Sequence, residues 1–169
     1  MAIPADRLQD KRMTSIGFDQ HNHGHCIRDS IAVARRLCSE KGLQLTPVRR
    51  RVLEILLQDH RAMGAYEILD VLSGEGLGSQ PPVAYRALDF LVSNGFAHKI
   101  ERLNAFVACM HPGLSHVPAF MICRGCKSVA EAQADLPDGV LASAAEAAGF
   151  EIERAVIEAE GLCPACQDS

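Results

Sequence analysis

Apolar residues recur every three or four positions through the first hundred residues. Ile31, Ala34, Leu37 and Cys38 fall on one face of a helix running from about Asp29 to Lys41, with Gly42 as its stop. A second helix follows from Leu45 to Leu57, where Thr46 can cap, Pro47 suits the first helical position, and Val48, Val52, Leu53, Leu56 and Leu57 form the buried stripe. Arg49, Arg50 and Arg51 cannot all join that stripe, so at least two face water or phosphate. Ala65 to Leu72 predicts a third helix. After the glycine-rich loop Ser73 to Gly78, a fourth begins near Pro81-Pro82 and stops at Asn94-Gly95. Its Ala87, Leu88, Leu91 and Val92 can pack inward, leaving Tyr85, Arg86 and Asp89 to face outward.

The period then shortens. Ala97 to Arg102 and Ala105 to Cys109, joined by a turn near Leu103-Asn104, read as a two-stranded wing behind a helix-turn-helix. Further on, Ala119 to Cys123 predicts a strand, Pro137 to Ala148 an alanine-rich helix ending at Gly149, and Phe150 to Ala159 another strand. These two strands are read as outer strands, each leading to a Cys-x-x-Cys pair. The fold class is therefore α+β. The first 26 residues show no periodicity and end in a dense run, His21, His23, His25 and Cys26, read as a mobile tail with solvated histidines in preference to an auxiliary metal site.

Composition narrows the possibilities. With 169 residues, 48% hydrophobic and 22% charged, the chain suits one ordinary globular domain or two small ones. No apolar run reaches the roughly 20 residues of a membrane span, and the start has no signal-peptide core, so the expected location is the cytoplasm. Seven cysteines there are metal ligands or free thiols. The net charge of −4 divides unevenly, +2 over residues 1–102 and −6 over residues 103–169, so any polyanion contact belongs to the N-terminal part.

The candidate chemistry is metal ligation. Cys123-Arg-Gly-Cys126 and Cys163-Pro-Ala-Cys166, with 36 residues between them, supply the four thiolates of a closed tetrahedral zinc site that holds a fold together. Between the wing and the first pair lie His98, Cys109, His111 and His116, and Glu131 follows it. Imidazole with thiolate suits zinc, whereas iron and manganese lean on nitrogen and oxygen. On the fourth helix, Tyr85 and Arg86 are candidates for base contact, a thymine methyl for the ring and purine acceptors for the guanidinium, with Arg49 and Arg50 on phosphates. No nucleophile and base arrangement, phosphate loop or open metal position suggests an enzyme.

Thr46-Pro-Val-Arg49, Ala65-Tyr-Glu-Ile-Leu-Asp70, Tyr85-Arg-Ala-Leu-Asp-Phe-Leu91, Gly95-Phe-Ala-His-Lys99, Phe120-Met-Ile-Cys123 and Val156-Ile-Glu-Ala-Glu-Gly-Leu-Cys163 agree in order and spacing with a known pattern. Over about residues 28 to 167 the chain resembles the ferric uptake regulator superfamily, most closely its zinc uptake regulator branch. It departs at Pro82-Val-Ala-Tyr-Arg86, where relatives carry a hydroxyl (Pro-Thr-Val-Tyr-Arg), and at Gly64, where relatives have Ser or Thr as a cap.

The resemblance implies a layout and a function. An N-terminal arm (1–27) would precede a winged-helix DNA-binding domain (28–109), a hinge (110–118) and a C-terminal α/β dimerisation domain (119–169) holding the four-cysteine structural zinc. His98, Cys109, His116 and Glu131 would form a regulatory zinc site, giving two zinc ions per subunit, with His111 a competitor ranked below His116 by its spacing to Cys123. The implied activity is repression of zinc-uptake genes by a zinc-loaded homodimer on a palindromic operator in double-stranded DNA, with no membrane and no small organic substrate involved. An iron- or manganese-sensing repressor of the same superfamily and a thiol-redox-responsive regulator are the alternatives, and a zinc carrier would leave Tyr85 and Arg86 unexplained.

Overall fold

The computed structural model describes residues 23–58, 61–114, 116–134 and 139–167. Four helices come first: α1 (His23–Glu40), α2 (Pro47–Gln58), α3 (Ala65–Gly74) and α4 (Pro81–Ser93). The first begins earlier than the expected Asp29, because half-buried Ile27 extends the Ile31, Ala34, Cys38 stripe by one more turn. His23, His25 and Cys26 therefore belong to a helix instead of a tail, while His21 lies outside the described residues.

Thr46 stands where a cap is needed, its Oγ1 3.4 Å from the Arg49 N–H. Gly64 has no side chain to cap α3, but Glu67 reaches back to accept its N–H at 2.8 Å, half of a capping box. At the start of α4, Pro81 occupies the first position and no side chain caps the helix. Val83, in the place of the missing hydroxyl, packs against Gly78, whose φ of +138° and lack of Cβ let the loop approach.

Strands β1 (Ala97–Ile100) and β2 (Ala105–Ala108) pair antiparallel, with Asn104 at φ +46° closing the turn. All four residues of β2 are buried. The alternation of a strand explains it: Phe106 and Ala108 face the helical core with Leu88, Leu91 and Phe96, whereas Val107 joins Ile100 in a second core. Met63 exchanges both backbone hydrogen bonds with Phe106, at 2.9 and 2.8 Å, adding a rung to the wing.

The C-terminal part is a three-stranded sheet of order β4-β3-β5, built from β3 (Val117–Cys123), β4 (Val129–Ala134) and β5 (Ile157–Gly161), with α5 (Val140–Ala148) between β4 and β5 and the short α6 (Pro164–Gln167) at the end. Two expectations are corrected here. The strand ending at Cys123 is central, because Val129–Ala134 adds an unexpected antiparallel edge to it; and β5 starts at Ile157 instead of Phe150, parallel to β3. Alanine alternating through Val129-Ala-Glu-Ala-Gln-Ala134 carries little strand preference, which hides β4 from a sequence reading. Phe120, Ile122 and Val129 of the sheet pack with Ile100 and Val107 of the wing, so the second core is shared between the two halves of the chain.

Candidate metal centres

At the ends of β3 and β5 the backbone turns bring two Cys-x-x-Cys pairs together. The sulfurs of Cys123, Cys126, Cys163 and Cys166 all lie within 4.8 Å of one another. Cys126 Sγ is 3.7 Å from Cys163 Sγ, and the Cys163 N–H donates to Cys123 Sγ at 3.4 Å. Gly125 leaves room for this: a Cβ there would stand 3.1 Å from Cys166 Sγ. Backbone N–H groups of Cys163 and Cys126 bring Cys123 down to about 6, so one thiolate forms readily. Hydrogen bonding of its thiol to the sulfurs of Cys163, Cys123 and Cys126, then burial and the charge of Cys123, push Cys166 up to about 12. Four thiolates at this spacing require a cation to neutralise them, and the all-sulfur donor set fits zinc.

The second cluster draws on the wing, the connection after it and the sheet. His98 comes from β1, Cys109 from the residue after β2, His116 from the connection that follows and Glu131 from β4, and their ligand atoms again lie within 4.8 Å of one another. Glu131 is 5% exposed. Its Oε1 sits 2.8 Å from His116 Nε2 and 3.3 Å from His98 Nε2, and its Oε2 accepts the Met110 N–H at 2.9 Å. Burial pushes the Glu131 carboxyl up, but His98, the Met110 N–H and His116 outweigh it and hold the group below the usual carboxylate range. Cys109 Sγ lies 3.7 Å from His116 Nε2. Burial, then the Glu131 charge, drive its thiol up to about 12.

These positions fit a metal. His98 Nε2 is buried and makes no well-aligned hydrogen bond, although the Glu131 carboxylate stands 3.3 Å away. His116 Nδ1 lies 2.9 Å from the Leu114 carbonyl, a contact that orients the ring so that Nε2 faces the cluster. One sulfur, two imidazoles and one carboxylate make a tetrahedral set suited to zinc. His111 stands apart from the four, its ring centroid 6.0 Å from that of His116 and its Nδ1 buried without a partner. Cys38 is buried in the helical core, as its place on the stripe implies.

On α4, Ala84, Ala87, Leu88 and Leu91 are buried while Tyr85 is 40% exposed and Arg86 is exposed. The arginines of α2 are more engaged than their sequence suggests. Arg49 lies over the Phe90 ring at 3.7 Å and donates to the Gln44 carbonyl at 2.7 Å. Arg50 pairs with Glu54 at 2.6 Å but stays exposed, and Arg51 forks onto Glu75 at 2.6 and 2.7 Å. Sequence reasoning missed the Met110 N–H and the Leu114 carbonyl behind the second cluster, since a backbone group leaves no trace in residue type.

A winged helix sharing a core with a small mixed sheet, and bearing two four-ligand clusters, is the layout of a winged-helix metalloprotein. No family model matches the chain. It is 37% identical over 140 residues to the zinc uptake regulation protein of Escherichia coli (strain K12), covering 82% of each chain. Among solved structures, it superposes on a zinc uptake regulator complexed with zinc and DNA with a TM-score of 0.79, at 36% identity, covering 84% of this chain and 95% of the other. Holo XcZur gives a TM-score of 0.75 at 40% identity over 83% of this chain and 99% of its own. The chain belongs to the zinc uptake regulator family.

Proposed function

We propose that this protein is a zinc-responsive transcriptional regulator of the cytoplasm. It binds palindromic operators of zinc-uptake genes as a zinc-loaded homodimer and represses them. The observation that carries the reading is the position of His98, Cys109, His116 and Glu131, one ligand set contributed by the wing, the connection and the C-terminal sheet. We assign these four as the regulatory zinc ligands and Cys123, Cys126, Cys163 and Cys166 as the structural ones, two zinc ions per subunit. Zinc at the first set would add a metal tie to the contacts that already join the halves of the chain. The thiol of Cys109 must give up its proton for that tie, and Glu131 neutralises charge beside both imidazoles.

Domain limits follow from the same reading, moved to the element boundaries: an arm before His23, a DNA-binding unit from α1 to residue 109, a hinge over 110–116 and a dimerisation unit from Val117 onward. Exposed Leu141, Phe150 and Ile157 on the C-terminal unit support its pairing with a second copy. In this reading Arg86 and Tyr85 on the exposed face of α4 would meet base edges, and Arg50 and Arg49 would meet phosphate. Since Arg49 already holds Phe90 and the Gln44 carbonyl, Arg50 is the freer of the two.

The test is fluorescence anisotropy of the dimer on an AT-rich palindromic operator from a zinc-uptake promoter, with buffered zinc and, separately, anaerobic ferrous iron. Tight binding driven by zinc and not by iron is expected. A response to iron alone would keep the fold and reject the metal.

A further inference from the structure

Outside both ligand clusters, the wing is tied to the sheet at its tip. The turn that joins β1 to β2 rests on β5, more than fifty residues further along the chain. The carboxylate of Glu158 accepts the Glu101 N–H at 2.8 Å and the Arg102 N–H at 3.2 Å, and the Arg102 guanidinium donates to both oxygens of Glu160, at 2.9 and 3.2 Å. Glu158 and Glu160 are two apart on β5 and so share one face of the sheet. Their partners on β3 are Phe120 and Ile122, which pack on Ile100 and Val107 of the wing. The tip contact therefore continues a buried apolar one.

A carboxylate that takes two adjacent backbone N–H groups makes charge-assisted bonds of fixed geometry. The neighbouring ion pair is weaker, because Arg102 and Glu160 keep 58% and 36% of their side-chain surface in water. The base of the wing is where His98 and Cys109 sit. Its tip and its base are gripped by different groups, and only the base contains metal ligands.

We propose that Glu158, supported by the Arg102–Glu160 pair, is a positioning residue for the regulatory zinc site: it holds the wing on the sheet before metal arrives, so that His98 and Cys109 already face His116 and Glu131. This rests on the reading of those four residues as the regulatory site. Its consequence is quantitative. A ligand's apparent affinity falls with the fraction of protein in the competent arrangement. Loosening the tip must weaken zinc binding at the base, although no metal ligand has changed.

The test uses the full-length protein with its four-cysteine zinc in place. With the regulatory site emptied by a chelator, the amides of Glu101 and Arg102 should be protected from hydrogen exchange, and Glu158→Ala should remove that protection. Chelator competition should show zinc binding at the regulatory site weakened about tenfold by Glu158→Ala and less by Glu158→Gln. Bound structural zinc and melting temperature should be retained, which separates positioning from a general loss of fold. Arg102→Glu should weaken zinc binding too, and adding Glu160→Arg should restore it. Unprotected amides in the zinc-depleted parent protein, or unchanged zinc affinity in a folded Glu158→Ala, would overturn the proposal. If Glu158→Ala does not fold, Glu158→Gln and the charge exchange decide by the same readings. None of these readings involves DNA, so a parent protein that fails to bind an operator would count against the regulator and leave the clamp to be judged on its own.

Discussion

Cys109 is where burial and charge meet most directly. Its thiol is pushed up to about 12, so at neutral pH the metal-free site holds a proton that zinc must displace. Below that value, each unit of rising pH should strengthen zinc binding at this site about tenfold for the one proton released. Chelator competition between pH 6.5 and 8 measures it, and a pH-independent affinity would mean that Cys109 is not a ligand. Cys126 differs in consequence. Replacing it by serine removes one of four sulfurs that need a shared cation, so Cys126→Ser should lose structural zinc by more than the roughly 10–100-fold that altering an outer partner costs. Metal analysis and the melting curve read the result, with loss of the dimer as the expected accompaniment.

Local capping and surface charge set the behaviour of individual helices. Glu67 substitutes for the side chain that Gly64 lacks, and its carboxyl is held below the usual range by the Gly64 N–H and by Arg61. Its contribution is therefore present above the ordinary carboxylate range and lost as pH falls through the depressed value. Because the pair is half exposed, Glu67→Ala should cost below about 1 kcal/mol, seen as a small drop in melting temperature at pH 7 that shrinks as the carboxyl is protonated in acid. On α4 and α2 the proposed DNA contacts differ in kind. Arg86→Ala should lose roughly 1–3 kcal/mol on operator and little on scrambled DNA, whereas Arg50→Ala should weaken both alike and lower the salt slope by about 1. Equal losses for Arg86→Ala on both sequences would remove it from the base contacts.

The helices were legible because each buried stripe, such as Val52, Leu53, Leu56 and Leu57, keeps the period of its own element. The order of the sheet was not. It depends on β4, whose alanines announce no strand, and Glu131 reaches the second cluster only by riding on that strand. The ligand types at His98, Cys109 and His116 could be read from composition and likeness, but their convergence is a property of three segments folding against one another. Glu158 was less legible still, since its partners at Glu101 and Arg102 are backbone groups distant in sequence. The same limit applied to Arg49, whose ring contact with Phe90 requires α2 and α4 to be packed first.

At the scale of the whole molecule, two cores and two ligand clusters divide the work. The helical core fixes the exposed face of α4 proposed to meet DNA, the shared core sets the wing on the sheet, and the four cysteines join the ends of β3 and β5. Among the described residues, the cluster at the base of the wing is the place where a single ion would touch both halves of the chain. It is the natural seat of a population shift, because an ion bound there favours the arrangement in which its four ligands meet. Zinc-titrated anisotropy of Cys109→Ala beside the unaltered protein on the same operator tests this most directly. The expected result is a folded dimer that keeps its four-cysteine zinc and no longer gains operator affinity as zinc is added. A Cys109→Ala protein that still tightens on the operator at the same free zinc as the parent would contradict it.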